Sequence, residues 1–86
     1  MISRESVKDF VRIDVTQYKD GQYSTLLTGL FNMDVKEAKR VCRSFRRLYP
    51  QATTMTIYAT AGEPRLVYSW SRSTGKWTFN VRSTAC

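Results

Sequence analysis

A run without glycine or proline, from Val35 to Tyr49, separates two regions in which apolar and polar residues alternate. Asn32 or Asp34 can cap the start of a helix with a side-chain oxygen, and Pro50 stops it. At about 100° per residue the apolar side chains of this run gather on one side. They are Val35, Ala38, Val41, Cys42, Phe45, Leu48 and Tyr49. The sequence therefore predicts one amphipathic helix, which must pack on strands.

Strands are predicted on both sides of this helix. The first has period 2 and leads through Asp20-Gly21, a typical hairpin turn, into the second. After Pro50 the alternation resumes, and turns at residues 62–64 and 73–75 divide it into three strands. The predicted strands are residues 10–15, 22 to about 30, 54–59, 66–70 and 77–81. The prediction is an α+β fold of order ββαβββ, a single antiparallel sheet of about five strands with the helix on one face.

Length and composition indicate one domain covering residues 1–86. With 86 residues, of which 42% are hydrophobic, the chain can build one core and no second one. The two cysteines, Cys42 and Cys86, are too few for a disulfide framework and favour a reduced, cytoplasmic protein. No segment resembles a signal peptide or is apolar enough to span a membrane.

The charge of the chain points to an anionic partner. Lys and Arg number 14 against 7 Asp and Glu, a formal charge of +7. Nucleic acid, an acidic protein surface and an anionic membrane all fit this balance. Membrane adsorption is the weakest of the three, because the apolar face of the helix is needed for the core.

The positive charge is concentrated on the polar side of the predicted helix. Lys36, Arg40, Arg43 and Arg47 form a stripe, which Lys39 and Arg46 widen, and Glu37 is the one local counter-charge. Like charges three or four residues apart repel, so this one-sidedness favours a binding face. The alternative interpretation is a solvated face that promotes solubility. In the binding interpretation, Arg72 and Lys76 at the last hairpin extend the surface.

Aromatic residues are concentrated late in the chain, where they could serve the core or a partner. If one face carried Leu66, Tyr68 and Trp70 and the other Met55, Ile57, Trp77 and Phe79, some rings would stand exposed. Exposed rings beside Arg65, Arg72, Lys76 and Arg82 would suit base stacking or protein contacts. For any single ring, a place in the core is the favoured interpretation.

The sequence gives little support for catalysis or for cofactor binding. The chain has no histidine, which removes the commonest general base and metal ligand, and its acidic residues are scattered. Residues 71–76, SRSTGK, lack the glycine spacing and the following Ser or Thr of a phosphate-binding loop. Their Ser-x-x-Lys spacing fits an exposed hairpin turn better than an acyl enzyme. We expect no enzyme activity, no metal site and no cofactor.

The stretch RIDVTQYKDGQYSTLLTGLFNMD at residues 12–34, together with the short basic helix, resembles small accessory proteins that T7-like bacteriophages make early in infection. The resemblance involves no motif with a known role, so no functional residue carries over. It implies a protein that binds and inhibits a host enzyme or nucleoprotein in the host cytoplasm.

Two functions remain open at this point. The leading one is a DNA-binding or RNA-binding module that contacts phosphates through the basic helix face, and the alternative is a phage-type inhibitor that docks on an acidic host protein. The sequence leaves the oligomeric state open, including a homodimer formed through an unpaired edge strand.

Overall fold

The computed structural model describes residues 9–59 and 65–82. Its elements are β1 (Asp9–Lys19), β2 (Gln22–Met33), α1 (Val35–Leu48), β3 (Thr54–Ala59), β4 (Arg65–Ser71) and β5 (Lys76–Arg82). The predicted α+β class and the ββαβββ order are confirmed. The predicted turn at residues 62–64 lies outside the described residues.

All neighbouring strands of the sheet are antiparallel, in the order β2-β1-β3-β4-β5. The helix connects β2 to β3 and packs against β1 and β3. Below it, Ile13 of β1 lies directly opposite Ile57 of β3, and both side chains are fully buried. The core therefore lies between α1 and the middle of the sheet.

The first two strands are longer than predicted. β1 continues through Thr16–Lys19, beyond a register irregularity between Val15 and Thr16. These residues pair with the polar start of β2 and bury little, so they lack the apolar alternation that marked residues 10–15. The turn itself matches the prediction, since Asp20 and Gly21 both adopt positive φ, at 55° and 78°.

The ends of α1 follow ordinary capping chemistry. The side chain of Asp34 accepts a hydrogen bond from the Glu37 amide at 2.7 Å, which makes Asp34 the N-cap. Tyr49 caps the other end, and its amide donates to the Phe45 carbonyl at 2.8 Å. The prediction that Leu48 faces the sheet is wrong, because Leu48 is 69% exposed. It lies at the margin of the apolar arc, next to the polar positions of Glu37 and Ser44.

The aromatic residues of β4 and β5 project to the helix side of the sheet. Trp70 lies opposite both Met55 and Trp77, and Tyr68 lies opposite both Ile57 and Phe79. Residues directly opposite each other in antiparallel strands share a face. The arrangement that divides these residues between two faces is therefore wrong, and Tyr68 and Trp70 belong to the core at 3% and 4% exposure.

The other face of the sheet carries both polar and apolar side chains, and Leu30 and Tyr58 both lie opposite Arg12 there. There Arg12 donates to Asp14 at 2.8 Å, and the Thr28 hydroxyl donates to the same carboxylate at 2.5 Å. Burial alone would raise the pKa of Asp14, but these hydrogen bonds and the Arg12 charge outweigh it and hold the pKa below its ordinary value. The Arg12 charge is thus neutralised on the side of the sheet opposite α1.

Candidate functional site

Four cations form an exposed row along α1, which we call the basic ridge: Lys36, Arg40, Arg43 and Arg47. Their spacing of three or four residues places them on one side of the helix. Among the residues that the structure describes, the only ion pair is Arg12–Asp14, on the opposite face of the sheet. The charges of the ridge are therefore not neutralised by any described part of the chain.

Lys39 and Arg46, which flank the basic ridge, contact aromatic rings and are less exposed than the ridge cations. The Lys39 ammonium lies 4.7 Å from the Tyr68 ring centroid and 5.9 Å from that of Trp77, and the Arg46 guanidinium lies 5.2 Å from that of Trp70. Lys39 and Arg46 occupy helix positions between the ridge and the buried Cys42, so their side chains reach across to β4 and β5. Each is half-buried in a cation–π contact.

The two hairpin cations predicted to extend the surface lie on the β4–β5 hairpin. The Arg72 Nε donates to the Ala52 carbonyl at 2.7 Å, and its guanidinium lies 5.4 Å from the Trp70 centroid. Arg46 and Arg72 therefore flank the same ring. Lys76 is exposed where β5 begins. The turn between them, with Gly75 at φ 69°, matches the predicted exposed turn.

A small cavity of about 150 Å³ lies between α1 and the β4–β5 hairpin, and we call it the helix–hairpin cavity. The cations Lys39, Arg43 and Arg46 line it, together with the rings of Trp70 and Trp77. Gly75 also lines it, which places the hairpin turn beside the C-terminal half of the helix. The structure thus brings helix cations and the hairpin into one continuous surface.

The cavity also contains a buried cysteine, Cys42. Burial raises the pKa of the Cys42 thiol to about 12, and the nearby positive charge of Arg46 only partly offsets this. A thiol with such a pKa is protonated at neutral pH and is a poor nucleophile. Within residues 9–59 and 65–82, no group of three or more potential metal-ligating side chains comes together.

Sequence reasoning missed two features of the site. It did not predict the contacts of Lys39 and Arg46 with rings, because the partners lie far along the chain and depend on the strand order. It also missed an exposed pair of tyrosines, Tyr18 and Tyr23, whose ring centroids are 4.7 Å apart. That pair could have been predicted, since a two-residue turn at Asp20-Gly21 places Tyr18 opposite Tyr23.

No helix in the described part of the chain is long and apolar enough to cross a membrane. Comparison with protein-family models, with curated proteins and with solved structures finds no match.

Proposed function

We propose that this protein is a non-enzymatic nucleic-acid-binding protein whose basic ridge contacts backbone phosphates. The observation that carries the proposal is the row of four exposed cations on α1, none of which pairs with a carboxylate of the described residues. Guanidinium and ammonium groups bind phosphate oxygens through charge-assisted hydrogen bonds. Like charges three or four residues apart on a helix repel, so keeping such a row with Glu37 as its one local counter-charge is unfavourable unless an anionic partner occupies it.

The length of the ridge suits a phosphate backbone. At 1.5 Å per residue, the row from Lys36 to Arg47 extends about 16 Å along the helix axis. Double-stranded DNA presents one negative charge per about 1.7 Å of its axis, so several phosphates lie within reach of the ridge. A linear row of cations is thus matched to a linear row of anions.

The placement of the aromatic rings favours backbone contacts over base contacts. Tyr68 and Trp70 are buried beneath Lys39 and Arg46, so neither ring offers a free face for a base. On the helix side of the sheet, Phe79 is the exposed ring, at 52%. Phosphate contacts carry no base information, and we therefore expect binding with little sequence preference.

The second candidate is an inhibitor of the phage type that docks on an acidic surface of a host protein in the cytoplasm. It is favoured by the exposed pair Tyr18 and Tyr23 on the side of the sheet opposite α1. Tyrosine is enriched at protein interfaces because it combines a large apolar area with a polar tip. In this interpretation the basic ridge pairs with carboxylates in place of phosphates.

The direct test is charge reversal on the ridge with the variant K36E/R40E. Both side chains are exposed, and a negative charge at position 36, in the first turn of α1, is favourable, so the fold should persist. We expect at least a tenfold loss of affinity for a fluorescently labelled 20-base-pair duplex and for a labelled single strand, measured by anisotropy. Equal thermal unfolding of the two proteins is the control. Unchanged affinity would mean that the ridge is merely solvated.

A pull-down from bacterial lysate separates the two candidates. With the chain as bait, nuclease treatment should remove the captured material if nucleic acid is the partner. Recovery of one stoichiometric protein after nuclease treatment would instead identify the inhibitor, and adding DNA or RNA should not release that protein.

A further inference from the structure

The helix–hairpin cavity gathers positive charge without any described counter-charge. Lys39, Arg43 and Arg46 line it, and no acidic side chain of the described residues does so. Arg72 adds a fourth cation next to it, since Arg72 and Arg46 both lie beside the Trp70 ring. Repulsion among cations is stronger where protein displaces water than on an open surface. An anion in the cavity would relieve it.

One residue that lines the cavity, Trp70, gives a second indication of a ligand. Trp70 is only 4% exposed, and its indole Nε1 has no hydrogen-bond partner among the residues that the structure describes. A buried donor left unpaired is unfavourable, and nearly all such groups in proteins have a partner. The guanidinium groups of Arg46 and Arg72 lie beside this same ring. An oxyanion is the kind of acceptor that both the cations and the indole N–H lack.

We propose that the helix–hairpin cavity binds one phosphoryl group of the nucleic acid. This inference rests on the proposed function and adds to it a site distinct from most of the basic ridge. Lys39, Arg43 and Arg46 donate hydrogen bonds to the phosphoryl oxygens. Trp70 lines the same cavity, and its buried indole N–H gains an acceptor when the anion binds.

The volume of the helix–hairpin cavity limits which ligands it can bind. The cavity measures about 150 Å³, and an apolar protein cavity of similar volume takes a molecule as small as benzene. A phosphoryl group fits this space, whereas a whole nucleotide does not. The protonated thiol of Cys42, which also lines the cavity, adds no negative charge that would repel the anion. The phosphoryl group is either a backbone diester or a terminal monoester.

The indole N–H signal of Trp70 in a ¹H–¹⁵N NMR spectrum reports on the cavity directly. The chain has two tryptophans, and the variant W77F assigns the two indole signals. We expect inorganic phosphate to shift the Trp70 signal saturably, while sodium chloride at matched ionic strength does not. The variant K39Q/R46Q should weaken this response at least tenfold. The variant K19Q, which removes an exposed cation at the end of β1, should leave it unchanged.

Oligonucleotides identify the source of the phosphoryl group. A single strand with a 5′-hydroxyl that shifts the Trp70 signal as strongly as its 5′-phosphorylated counterpart identifies a backbone diester. A shift seen only with the phosphorylated strand identifies the terminal monoester.

The outcomes for the cavity and for the function are separable. If oligonucleotides bind by anisotropy while the Trp70 signal stays in place, the cavity proposal is overturned and the function stands. If inorganic phosphate shifts the signal while no nucleic acid binds, the nucleic-acid function and the assigned source of the phosphoryl group are overturned. A K39Q/R46Q protein that remains folded and responds like the parent also refutes the cavity as the site.

Discussion

Replacing Arg40 with glutamine should change the salt dependence of nucleic-acid binding by a predictable amount. Each phosphate that the protein neutralises on a duplex contributes about 0.9 to the slope of log affinity against log salt. The four exposed cations of the basic ridge therefore give a slope near −3.6, or roughly a 150-fold loss of affinity between 50 and 200 mM salt. With three cations the slope is about −2.7, and the loss over the same range is roughly 40-fold.

The assay is fluorescence anisotropy with two labelled duplexes of unrelated sequence, at four salt concentrations between these limits. R12Q is the matched control, since it makes the same chemical change and removes the same charge. Arg12 lies on the sheet face opposite α1 and is already paired with Asp14 at 2.8 Å. We expect R12Q to keep the slope of the parent protein, and both duplexes to give the same slope.

Two results would refute this reasoning. A slope near zero for the parent protein would mean that its cations do not displace counterions from phosphates. Equal reductions of the slope in R40Q and R12Q would mean that net charge, and not the position of the ridge, governs binding.

Three further predictions concern stability and reactivity. I57A removes a fully buried side chain at the centre of the sheet and should lower the free energy of unfolding by about 2–5 kcal/mol in urea titration; a loss below about 1 kcal/mol would contradict the assigned core. In a C86S protein, Cys42 should resist iodoacetamide at pH 8 and react quickly in urea, because burial raises its pKa to about 12. Since the folded-state pKa of Asp14 is lowered, its ionised carboxylate stabilises the folded protein above the unfolded-state pKa of about 3.9. This stabilisation is lost as the pH falls from there through the lower folded-state pKa. D14N should therefore reduce the acid sensitivity of the urea midpoint, and an unchanged pH profile would show that the pair with Arg12 is without effect.

The fold could be predicted from local signals because segments with a clear hydrophobic periodicity are separated by residues typical of turns and helix ends. The Gly-free and Pro-free run after Asp34 fixes α1, and Asp20-Gly21 fixes the first hairpin. Local signals do not contain the register between neighbouring strands. Without it, the face shared by Tyr68, Trp70 and Trp77 could not be predicted, because that face follows from the pairing of Trp70 with Trp77 in β5 and with Met55 in β3.

The candidate site likewise has one part that local signals predict and one part that depends on the tertiary structure. The positions of Lys36, Arg40, Arg43 and Arg47 on one exposed side follow from helix geometry alone, and the structure places them there. The turning of Lys39 and Arg46 toward aromatic rings depends on which strands flank the helix. Sequence reasoning could therefore predict the ridge but not the cavity beside it.

The strand order also bears on how this chain folds. The hairpin β1–β2 and the meander β3–β4–β5 each join strands that are neighbours in sequence, whereas β1 meets β3 across the whole of β2 and α1. Closing that long loop costs chain entropy before any contact between the two halves compensates for it. We therefore expect the rate-limiting event to be the meeting of Ile13 with Ile57, at the seam that α1 covers.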